Sequence, residues 1–77
     1  MQSQLAATLR RGNVVFVLIN GSVRQAVVNE MPAMVLNDVF VEVRLGCVHL
    51  ITNTIVVNAD RVFLHRSDAV TAANLSR

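Results

Sequence analysis

The chain has 77 residues, 53% of them hydrophobic, and carries seven arginines, no lysine and five acids for a net charge of +2. That length holds one domain and excludes two. With Cys47 as the only cysteine, an intrachain disulfide is excluded, and no Cys/His cluster has the spacing of structural zinc.

A core of this size rarely supplies more than ~3–5 kcal/mol by itself. Small domains therefore lean on disulfides, metals or partner copies, and only the last remains here. The apolar content exceeds that of ordinary soluble domains although a small domain has more surface to cover. A subunit interface is the economical place for the excess, so a homo-oligomer is expected. A membrane span is not: the longest apolar stretch, Val14 to Ile19, is far short of a spanning helix. The polar N-terminus has no long apolar run ahead of a cleavage site, so the expected setting is soluble, reducing and cytoplasmic.

Ser3 to Arg11 reads as a short helix. Ser3 can cap it, Leu5 and Leu9 lie one turn apart, Arg10 and Arg11 suit the last turn, and Gly12 can close it. From Asn13 the pattern is β, with all the valines beyond this point. Val14 to Ile19 is apolar on both faces, the mark of a strand covered on both sides. Asn20-Gly21 then predicts a tight hairpin, with Ser22 to Asn29 returning. Glu30-Met31-Pro32 breaks the run, because proline cannot donate to a ladder.

Ala33 to Leu45 follows, with a turn or bulge at Asn37-Asp38. Beyond it Val39, Val41, Val43 and Leu45 share one face, and Phe40, Glu42 and Arg44 the other. Gly46-Cys47 can turn the chain into a strand at Val48 to Val57, kinked at Asn53-Thr54. Asn58-Ala59-Asp60 is a short turn, and Val62 to Arg66 is the last strand, with Val62 and Leu64 inward. Ser67-Asp68 can cap a short final helix, or the tail frays. The expected fold is mainly β: a small SH3-like or Sm-like barrel of about five short strands over 13–66, with an N-terminal helix at 1–12 and a tail or short helix at 67–77.

The opening carries a resemblance. A helix ends in Leu9-Arg10-Arg11 and leads into Val14-Val15-Phe16-Val17-Leu18-Ile19-Asn20-Gly21. This is similar to the start of the Hfq branch of the Sm-like family, with its Leu-Arg-Arg element, alternating strand and Asn-Gly turn. The likeness covers the first third of the chain in detail and the rest in outline. It implies a ring of subunits, joined by strand pairing, that binds RNA. Such rings carry a Lys-His pair, preceded by an aromatic, at the entrance to the last strand. The matching region here reads Val56-Val57-Asn58-Ala59-Asp60-Arg61, without the pair or the aromatic, and Arg61 is the cation that stands there.

Candidate site residues follow from charge and ring chemistry. Arg61, Phe63 and His65 share a face of a regular last strand, where Phe63 can stack a base and Arg61 can meet a phosphate. Arg10, Arg11 and Arg24 are expected near one rim, where a ring would repeat them into a basic circle. Three phenylalanines without tyrosine or tryptophan are too few for a broad aromatic platform. Cys47 and His49 share a strand face at roughly 6.5 Å between Cα atoms, which does not by itself make a nucleophile–base pair. They are also too few for a metal site. No paired carboxylates, nucleophile elbow or phosphate loop is found. The expectation is therefore a homo-oligomeric RNA-binding module, not an enzyme, with no cofactor. The alternative is a protein-interaction or structural oligomer with no nucleic-acid role.

Overall fold

A computed structural model describes residues 8–45 and 53–75. Six strands, a 3-10 turn and one helix follow in order: β1 (Val14–Ile19), β2 (Ser22–Val28), β3 (Ala33–Val35), β4 (Asp38–Leu45), β5 (Asn53–Asn58), the turn Ala59–Arg61, β6 (Val62–Phe63) and α1 (Arg66–Leu75). The strands form one antiparallel sheet in the order β3-β4-β2-β1-β6, with β5 on the other edge of β4. The sheet curls into a half-barrel.

The β1–β2 hairpin forms where the sequence predicts it. Asn20 and Gly21 both take positive φ, 51° and 80°, as the two central residues of the favoured two-residue turn must. Ile19 then faces Ser22, and pairing runs back to Val14 opposite Val27.

The break at Pro32 proves to be a bend. Val28 of β2 faces Val43, and Ala33 of β3 faces Phe40, so β2 and β3 run along the same edge of β4 on either side of the interruption. Asn29 secures the bend. Its N–H donates to the Glu42 carbonyl and its Nδ2 to a Glu42 carboxylate oxygen, both at 2.9 Å.

Alternation decides the core. The inner face buries Leu9, Val15, Val17, Ala26, Val28, Val41, Val43 and Val62. Valine's branched stem suits a pleated, crowded face. The outer face of β1 presents Phe16 and Leu18, both half-buried. Here α1 rests against β1, β2 and β6, burying Ala69 and Ala73 one turn apart. Strand β1 is thus covered on both sides, as its double-sided apolarity implies.

Three expectations need correction. The N-terminal helix is not shown: 3–7 lie outside the described residues, and Thr8–Gly12 is turn and irregular chain. The reason is visible in its contacts. Arg10 N–H donates to Asn13 Oδ1 at 2.8 Å, and Gly12 N–H donates to the Val28 carbonyl at 2.9 Å, which ties the end of this stretch to β2. The last strand is two residues long, not five. Leu64 is 45% exposed instead of inward, because the His65 carbonyl already accepts the first bonds of α1, from the Asp68 and Ala69 N–H groups. The helix cap is accordingly His65, with Ser67 and Asp68 inside the first turn. The Gly46-Cys47 turn, His49 and the first part of the Val48 to Val57 strand lie outside the described residues.

Candidate nucleic-acid interface

Short-range chemistry fixes the turn that leads into β6. Asn58 caps it, its Oδ1 accepting the Asp60 N–H at 3.1 Å. Val62 then enters the core beside Val17, fully buried. This anchors Arg61 on one side and Phe63 on the other. Arg61 is exposed and Phe63 half-buried.

The two side chains meet at a groove of about 310 Å³ whose walls include Leu18, the Asn20-Gly21 turn, Asp60 and Ala72 of α1. That is the lower end of the size range for ligand pockets. It combines the apolar Leu18 and Ala72, one aromatic ring, one guanidinium and, next to it in sequence, the Asp60 carboxylate.

Strand pairing extends the row. Phe63 lies directly opposite Phe16 across β6 and β1. The Arg66 guanidinium stands over the Phe16 ring, 5.1 Å from its centre, within the range of a cation–π contact. Arg61, Phe63, Phe16 and Arg66 therefore follow one another across the outer face: cation, ring, ring, cation. Phe16 and Arg66 are absent from the sequence-based candidates. Phe16 reads there only as part of an apolar strand, and Arg66 as the end of the last one. The signal that would add them is the register of β1 with β6.

The other candidates are divided. His65 does not join Phe63 on a strand face; it is exposed and occupies the cap of α1. Arg24 faces Val17, which in turn faces Val62, so Arg24 lies at the hairpin end of the sheet, roughly 10 Å across two strand spacings from the Arg61 end. Arg10 and Arg11 lie at the opposite end, where Gly12 bonds to Val28. Four residues of strand, roughly 13 Å, separate that point from Arg24, so the expected grouping of these three arginines at one rim is not formed. Arg10 also curls back on its own chain, donating to the Thr8 and Leu9 carbonyls at 3.2 Å each. Arg11 is exposed.

Among the described residues no three His, Cys, Asp or Glu side chains converge as a metal site, and no helix is long and apolar enough to cross a membrane. Comparison with protein-family models, with curated proteins and with solved structures returns no match.

Proposed function

We propose that the chain is a homo-oligomeric, cytoplasmic, non-enzymatic module of Sm-like build that binds single-stranded RNA. The observation that carries this is the row Arg61–Phe63–Phe16–Arg66 beside an open groove. Single-stranded nucleic acid is held by aromatic rings that stack bases and by cations that track phosphates. Here Phe63 offers the stacking face at the groove, Arg61 the phosphate contact, and Arg66, over Phe16, a guanidinium plane on which a neighbouring base can lie. Arg24, paired with the buried Val17, stands on the inner face of the sheet and lies outside this row. The Sm-like build is supported by the interrupted β2–β3 run along one edge of β4 and the short turn before the final strand.

The test is binding of a labelled single-stranded oligoribonucleotide across a salt series. Phe63→Leu keeps an apolar side chain but removes the ring, and should weaken binding by the ~1–3 kcal/mol of one stacked base. Arg61→Ala should reduce the magnitude of the salt slope by about 0.7, the share of one phosphate on a single strand. Unchanged affinity in both variants would overturn the assignment.

A second reading, a protein-interaction oligomer without nucleic-acid role, draws on the exposed apolar residues of the β3–β4 hairpin. Intact assembly with no RNA affinity would select it.

A further inference from the structure

The half-barrel leaves part of its core unfinished. Ile19 on β1, and Ile55 and Val57 on β5, pack against the buried cluster yet stay half-buried. Together with Leu18 and Arg61 they help wall a groove of about 270 Å³ between the two strands.

The same chain carries a feature of complementary chemistry. The β3–β4 hairpin and its approach expose Met31, Met34, Val35 and Leu36, with Met34 70% and Leu36 90% exposed. Leu36 also opens the turn in a left-handed conformation, φ 57°, where glycine or asparagine is the usual residue. A leucine there gains nothing from its backbone and nothing from burial within the chain. What it contributes is an apolar tip. Asp38 follows the turn and is exposed, as is Arg61 on the groove. Among the described residues neither forms an ion pair.

We infer that the β3–β4 hairpin is an assembly knob: Leu36 of one copy enters the Ile19–Ile55–Val57 groove of a second copy, and Asp38 meets that copy's Arg61. The occupant is a second copy because an apolar tip with an acid beside it, and an apolar groove with a base beside it, both belong to this chain. Knob and groove are different surfaces, so the contact is heterologous and runs head to tail, closing into a ring where the rotation allows. The inference rests on the homo-oligomer of the proposed function and places its joint at this knob, a contact distinct from the strand pairing that the Sm-like resemblance implies.

Leu36→Gly tests it without endangering the fold, since glycine suits the turn's positive φ. Molar mass is followed by size-exclusion chromatography with light scattering over a range of protein concentration. The expected result is assembly of the unaltered chain and self-association weakened tenfold or more in L36G, about the loss for one buried leucine. Asp38→Arg and Arg61→Asp should each weaken assembly, and the double variant should recover it. An L36G chain that assembles like the original overturns the knob and leaves the oligomer standing. A monomeric original chain overturns both. A double variant no better than the singles overturns the Asp38–Arg61 contact.

Discussion

Val62 and Val56 are the same residue type six positions apart, and the structure assigns them opposite consequences. Val62 is 0% exposed, paired with Val17, and belongs to a strand of two residues. Truncation to alanine removes two methyl groups, worth about 1.6 kcal/mol at ~0.8 each. The cavity left behind adds to this, because neighbours relax only in part. A total of about 2–3 kcal/mol is expected, most of the ~3–5 kcal/mol that a core of this size supplies. At roughly 4–8 °C per kcal/mol, Tm should fall by about 10–20 °C. Val56 on β5 is 62% exposed, and V56A should stay within about 0.5 kcal/mol of the parent. Far-ultraviolet circular dichroism during urea and thermal unfolding is the suitable assay, since the chain has no tryptophan or tyrosine. Because Val62 also anchors Arg61 and Phe63, V62A should weaken RNA binding where V56A does not. Equal stability losses in the two variants would refute the placement of β6 against β1.

Two further substitutions test the local physics. Gly21→Ala meets no atom within 4 Å, so its cost is purely that of alanine at φ 80°, about 1 kcal/mol, and urea unfolding should show a lower midpoint with an unchanged slope. Arg66→Ala removes the cation over Phe16 and should cost about 0.5–1 kcal/mol, as exposed cation–π contacts do; Arg66→Lys should recover part of it.

Where the chain was legible, the signal was local. Asn20-Gly21 specifies its hairpin by the two positive φ values that those residues tolerate best, and Val39, Val41 and Val43 announce the inner face of β4 by period alone. The end of the last strand was not legible for the same reason. Val62, Phe63, Leu64 and His65 continue a strand-like pattern with no proline or glycine to stop it. The helix that stops it buries only Ala69 and Ala73, side chains too small to leave a clear helical period. At the other end of the chain Leu9, outside any helix among the described residues, departs from what its spacing implies in the opposite direction. Leu9 fits a helical spacing with Leu5, yet its burial comes from insertion into the sheet's core beside Val15 and Val28. The site was half legible. Arg61 and Phe63 could be picked out by residue type, whereas Phe16 joins them through a register set by two strands nearly fifty residues apart in sequence.

That division has a mechanical side. Pairing between β1 and β2, and between β4 and β5, runs over six residues each, while β6 holds β1 through two. The proposed RNA row is carried largely by the lightly held part: a 3-10 turn fixed by Asn58, a two-residue strand, and a helix seated on two alanines. A strand of RNA touching both Arg61 and Arg66 would bridge the turn and the start of α1, and its base on Phe63 would lie over the β6–β1 seam. Such a ligand binds only when all three elements are docked, so mass action stabilises the docked state as the site fills. The knob contact would act on the same seam from the inner side, since its groove is walled by Ile19 of β1 and by Arg61. At Arg61 the two events would meet as competitors, an Asp38 carboxylate of a neighbouring copy and an RNA phosphate calling on one guanidinium: filling the groove would steady the wall that carries Phe63, Phe16 and Arg66 while taking Arg61 out of the basic row.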